Sequence, residues 1–150
     1  MAIEILSTDE SEILREGYIV AFVDTSKEYY VQRIATQQQF SDGIHESGYL
    51  WDCLRVSSRI TVQRFENEIC LHSEVLVMAD DHSRDQIPGA PLWPYAPHSV
   101  ARLSPQELLE IRASLPEDIY VFDESLNWTL VLTHEHDNRR RLCLAVGIAA

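Results

Sequence analysis

Apolar positions recur along this chain at two different periods, and the switches between them predict its elements. Residues 7–24 open on Ser7, Thr8 and Asp9, side chains that cap helices, with acids in the first turn. Ile13, Leu14, Tyr18 and the run Val20–Val23 follow as one face of a helix that ends as a strand or buried segment, and Gly17 weakens its middle. Residues 26–40 read as a second helix. Ser26 caps it, Tyr29, Tyr30, Ile34 and Phe40 fall near helical spacing, and Ser41-Asp42-Gly43 ends it. Within 44–56, Tyr49, Leu50, Cys53 and Leu54 stand at i, i+1, i+4 and i+5, the pattern of a short amphipathic helix.

The period then drops to two. Ile60 and Val62 within RITVQRF alternate, Glu66-Asn67-Glu68 supplies a turn, and Ile69, Leu71 and VLVMAD lead to Asp80-Asp81, which together predict a β-hairpin. Residues 81–103 form a Pro-rich loop in which Pro88, Pro91, Pro94 and Pro97 occupy every third position, a spacing suited to polyproline-like extension. Ser104-Pro105-Gln106-Glu107 is a capping box with Pro at the first helical position, so a helix runs from there to about Leu115 and stops at Pro116. Three strands follow at Ile119–Phe122, Trp128–His134 and Arg141–Val146, with Leu126-Asn127 and Asp137-Asn138 in or near their short connections, which favours an antiparallel meander. The expected architecture is α+β: N-terminal helices, a β-hairpin, one further helix and a C-terminal antiparallel three-stranded meander in one mixed or antiparallel sheet. At 150 residues this is a single domain, 1–150. A chain of that length buries roughly 68–70% of its unfolded surface, enough for a core without metal or disulfide staples.

Charge narrows the function. Twelve Lys and Arg stand against 24 Asp and Glu, for a net charge of −12. A general phosphate-backbone binder needs a basic footprint, so nucleic acid is not an expected partner. The opening MAIEILSTDESEILREG lacks the basic and apolar regions of a signal peptide, and no apolar run approaches the ~20 residues of a membrane span. Cys53, Cys70 and Cys143 are odd in number and form no CxxC, as expected of reduced thiols in a cytoplasmic protein with no membrane partner. The cations are eleven Arg and the single Lys27, a bias toward planar, bidentate contacts.

Four features carry candidate chemistry. His134 and His136, at i and i+2 of a strand, offer two imidazoles to one face, where zinc is the metal their chemistry suits. Asp80-Asp81-His82 with Asp85, at the entry to the proline loop, is the second feature, since two adjacent carboxylates can hold a divalent cation. Asp137, or Asp80, Asp81 or His82, would complete the histidine site, where a bound zinc or manganese would activate water for hydrolysis. The stretch from Glu117 to Asp137 carries six acids and no Lys or Arg, and Arg139-Arg140-Arg141 follows it directly. Among those acids Asp123, Glu124, Glu135 and Asp137 are candidate partner-binding residues, because a focused negative field attracts a basic protein. Trp93 and Tyr95 in the proline loop are candidate apolar anchors, whereas Trp51 and Trp128 lie in apolar-patterned segments and are expected in the core. No phosphate-binding glycine loop, GxSxG elbow or SxxK stands in the chain, so no catalytic residue is assigned and no cofactor is required by motif.

The stretch LPEDIYVFDESLNWTLVLTHE, residues 115–135, resembles the C-terminal part of small bacterial immunity-type proteins. Its pattern is a helix end, a strand, an acidic turn, and a strand with Trp-Thr near its start and Thr-His-Glu at its end. The resemblance implies an acidic cytosolic binding protein that neutralises a toxin, nuclease-like with a basic cleft, by blocking it. A small metal-dependent hydrolase using His134 and His136, and a regulatory interaction subunit unconnected with toxins, are the alternatives.

Overall fold

A computed structural model describes residues 3–40, 43–80 and 91–148, with the backbone alone at Asp137. The chain runs through β1 (Glu4–Ile5), α1 (Thr8–Phe22), α2 (Glu28–Arg33), β2 (Gln38–Phe40), β3 (Gly43–His45), a 3-10 turn (Leu50–Cys53), β4 (Ser58–Ile60), α3 (Val62–Ile69) and β5 (Val75–Ala79). It continues through β6 (Ala101–Leu103), α4 (Pro105–Ile111), a second 3-10 turn (Arg112–Ser114), β7 (Ile119–Phe122), β8 (Thr129–Asp137) and β9 (Arg140–Val146).

Among the described residues, seven strands form one sheet in the order β1-β6-β5-β7-β8-β9-β4, and every recorded pairing in it is antiparallel. Strands β2 and β3 pair separately. This overturns the expected arrangement. Strands from the N-terminal half supply both edges of the sheet, β1 beside β6 and β4 beside β9, so the three-stranded run β7-β8-β9 lies in its interior between β5 and β4.

The expected hairpin over 60–80 does not form, because its first arm is a helix. Thr61 caps α3 by accepting from the Arg64 N–H at 3.0 Å. Phe65 and Ile69, at i and i+4, bury completely. Gln63–Asn67 and Arg64–Glu68 add pairs at helical spacing. Val62 fits period two with Ile60 and helical period with Phe65 and Ile69 alike, and the cap decides between them. Residues 26–40 likewise split: Ser26 binds Asp24, α2 covers only 28–33, and 38–40 turns to strand. Ser41 and Asp42, expected to end that helix, lie outside the described residues. The short helix expected over 44–56 is a strand end, an extended stretch and one 3-10 turn. Of the expected loop at 81–103, residues 81–90 lie outside the described residues, and 101–103 form β6.

Helices cover both faces of the sheet. On one, Val75, Val77, Ile119, Val121, Leu130, Leu132, Cys143 and Ala145 pack with Phe65 and Ile69 of α3 and Leu108 of α4. On the other, Leu76, Met78, Tyr120, Phe122 and Val131 pack with Tyr18 and Phe22 of α1 and with Leu50 and Cys53. Two covered faces explain why VLVMA and IYVF read as continuous apolar runs without alternation. The capping box of α4 forms as expected: Ser104 Oγ accepts from the Glu107 N–H at 3.1 Å, and Glu107 Oε1 from the Ser104 N–H at 3.0 Å.

Candidate functional site

The antiparallel pairing of β5 with β7, Ala79 opposite Ile119, and of β7 with β8, Ile119 opposite Leu132, brings Asp80, Asp118 and His134 to one end of the sheet. The segment from Glu46 to Leu54 folds over that end. His45 through Leu50 are all buried, yet the backbone from 46 to 49 is irregular. Buried irregular backbone must find hydrogen-bond partners in side chains.

The side-chain partners are Asp80 and two tyrosines, beside the Arg33 carbonyl that accepts from the Ser47 N–H at 3.0 Å, and Asp118 holds the Trp51 side chain. Asp80 Oδ1 accepts from the Leu50 N–H at 3.2 Å, and Tyr120 donates to Asp80 Oδ2 while its oxygen accepts from the Trp51 N–H at 3.0 Å. Tyr29 Oη accepts from the Tyr49 N–H at 2.8 Å. Asp118, fully buried, accepts at Oδ1 from the Trp51 indole N–H and from the His134 backbone N–H, each at 3.0 Å. His134 Nδ1 lies 3.0 Å from both oxygens of Asp118. An acceptor-only carboxylate there fixes the proton on Nδ1 and turns Nε2 outward. Burial pushes the Asp80 carboxyl well above the ordinary range, and burial raises Asp118 too, against the opposing pull of its bonds to His134 and Trp51.

The outer surface of this end is aromatic and acidic. The Tyr49 ring stands 5.0 Å from the imidazole of His134 and 5.6 Å from the Trp51 ring. Glu135 Oε1 lies 3.9 Å from His134 Nε2, and its side chain is 55% exposed. Asp52, raised by partial burial and bonded to Tyr29, feels the charges of Glu135, His134 and Asp118. Trp51, expected only as core, is half-buried and forms part of this surface.

The other candidate residues go elsewhere. The acidic stretch is continuous in sequence but not in space: Asp118 and Asp123 flank β7 at opposite ends, about 17 Å apart at the rise of a strand. Asp123 is a turn residue. Its Oδ1 accepts from the Ser125 N–H at 2.9 Å and its Oδ2 from the Trp128 indole at 2.8 Å. Burial works to raise its carboxyl, and the bonds from Ser125 and Trp128 outweigh that and hold it low. Glu124 pairs with Arg102, which also reaches Glu4 and Glu74. Trp93 and Tyr95 pack against the α3/α4 face of the sheet, away from Trp51, and the Trp93 N–H is bound to Ser99 Oγ at 2.9 Å. Only Glu135 of the six candidate partner-binding residues lies at the His134 end with its side chain described.

His134 and His136 do not converge. The β8–β9 register shifts between Leu132 and His136, so the strict alternation fails, and His136 Nδ1 lies against the His134 carbonyl at 3.1 Å while its ring lines a different cleft. Both oxygens of Asp80 are bound internally. Asp81, His82 and Asp85 lie outside the described residues, as does the side chain of Asp137. Among the described residues no group of three or more His, Cys, Asp or Glu side chains is placed to hold a metal ion. Also among them, no helix is long and apolar enough to cross a membrane.

Tyr29, Tyr49, Trp51, Asp52 and Asp118 were not legible as site residues. Their one sequence signal is the dense run Tyr49-Leu50-Trp51-Asp52, which helical periodicity absorbs. Compared with models of protein families, with curated proteins and with solved structures, the chain matches none.

Proposed function

We propose that this chain is a binding protein that receives a basic segment of a partner protein on the surface formed by Trp51, Asp52, His134 and Glu135, with the buried Tyr49 ring behind it. The observation that carries this reading is the buried Asp118, which locks Trp51 and His134 in place beneath two outward carboxylates. A guanidinium or ammonium group arriving there meets negative charge and aromatic rings together, and the rings lose little freedom on binding because they are already fixed. The immunity-type resemblance of residues 115–135 gives the partner its class: a toxin whose basic cleft an acidic surface covers by charge complementarity.

Co-expression with a basic toxin domain encoded beside the gene tests this reading. Growth should be protected by the natural chain and lost with Glu135→Lys combined with Asp52→Lys. Protection unaffected by that pair, while the chain remains folded, would remove this surface from the function.

The bidentate contact of Asp118 with His134 favours one second reading, proton transfer at Nε2. Among the described residues no Ser, Thr or Cys is hydrogen-bonded to Nε2, so the base would act on water or substrate instead of on a protein nucleophile.

A further inference from the structure

In a chain of net charge −12, five of eleven arginines line one cleft. It measures about 1030 Å³ and lies between the β4–α3 junction, which contributes Arg59, Ile60, Thr61, Val62 and Arg64, and the β8–β9 hairpin, which contributes His136 and Asn138 through Arg141. Among the described side chains no Asp or Glu lines it.

The arginines are held differently. Arg141 is anchored, its Nε donating to the Thr133 carbonyl at 2.8 Å and its Nη2 to the Glu117 carbonyl. Arg64 pairs with Glu68 at 3.0 Å. Arg139 and Arg140 are exposed, and among the described residues neither makes an ion pair with a carboxylate. Arg139 occupies an unusual place as well. Asn138 and Arg139 are the two turn residues between the paired Asp137 and Arg140, at φ 49° and 67°. That turn takes Asn readily at its first position and favours glycine at its second. An arginine there keeps a cation at the mouth of the cleft against the preference of its own backbone.

We infer that this cleft binds a small phosphate-bearing ligand of nucleotide size, gripped by Arg139 and Arg140 over the apolar side chains of Ile60 and Val62. Guanidinium groups match phosphate oxygens in pairs, and a cleft of this volume is at the upper end of small-ligand sites. A nucleic-acid strand fits less well. Residues adjoining the lining, Glu68, Glu117 and Glu135, are acidic, and so is the chain as a whole, so a polyanion running beyond the cleft is repelled. The gripping residues Arg139 and Arg140 are not part of the partner surface around His134.

Calorimetric titration with pyrophosphate and with metal-free ATP, at physiological ionic strength, tests it on the intact chain. Both should bind, and Arg140→Ala should weaken each about tenfold. Arg139→Gly is the sharper variant: it should raise the melting temperature, by relieving the turn, while weakening both ligands to a similar degree. Absence of binding by the natural chain, or affinity unchanged in both variants, would overturn the proposal. So would tighter binding of a single-stranded oligonucleotide than of ATP, which would make the cleft a polymer site.

Discussion

Tyr120 donates its phenolic hydrogen to Asp80 Oδ2 at 2.5 Å, in a place where neither side chain meets solvent. A carboxyl so buried resists ionisation, and its group is raised well above the ordinary carboxylate range. A carboxyl raised in the folded state contributes stability while it is protonated, in full below its unfolded pKa, and loses that contribution as pH rises through the folded value. Asp118 acts in the same direction. Melting temperature should therefore fall as pH is raised from the ordinary carboxylate range toward neutrality and beyond. Asp80→Asn, neutral at every pH, should flatten that slope. A slope unchanged in Asp80→Asn, followed by circular dichroism across the range, would show that Asp80 is not its source.

Arg15 and Glu46 form the deepest ion pair among the described residues, with Arg15 Nη2 2.9 Å from both carboxylate oxygens and both residues 6% exposed. Removing one partner leaves the other charge buried. Glu46→Ala and Arg15→Ala should each cost about 3–5 kcal/mol in denaturant unfolding. Arg15→Met with Glu46→Leu should recover much of that loss, because the double change removes both charges while keeping volume.

Charge reversal separates structural acids from surface ones. Asp123→Lys with Glu124→Lys breaks the bond to the Trp128 indole and strips a carboxylate from Arg102, so it should lower the melting temperature. Glu135→Lys should change stability by less than about 0.5 kcal/mol, as an exposed substitution does. Its effect should show in partner binding alone, which parallel melting and binding measurements would resolve.

Gly48 tests the seating of the buried segment. A Cβ there would lie 2.6 Å from the Arg33 Cβ and 2.9 Å from Tyr29 Oη, the oxygen that accepts from the Tyr49 N–H. Gly48→Ala should destabilise the fold by about 1–3 kcal/mol. It should also perturb the fluorescence of Trp51, which rides on the same segment.

What the sequence made legible was local. The Ser104 box, the Ser7 cap and the three C-terminal strands each rest on residues a few positions apart, and each appears close to where the pattern places it. The 44–56 segment was illegible for the opposite reason. Its conformation is dictated by Asp80, Asp118 and Tyr120, which are remote in sequence and adjacent only after the strands pair. The acidic stretch misled in the same way: strand direction, invisible in a list of charges, sends Asp123 and Glu135 to opposite ends of β7 and β8. Trp93, a candidate surface anchor by sequence, is partly buried against the α3/α4 face, and Ser99 takes its N–H.

The strand order also sets a schedule for synthesis. Glu4 pairs with Arg102, and Ser58 pairs with Ala145. As the chain leaves the ribosome its first sixty residues hold both borders of a sheet whose interior has not yet been made. Helix α1 can curl early and meet Leu50 and Cys53, but Tyr18 lacks its aromatic partners in the sheet until Tyr120 and Phe122 emerge. In the nascent N-terminal half, the apolar side chains that lie against Tyr120, Phe122 and Val131 stay uncovered on that side until β7 and β8 are made.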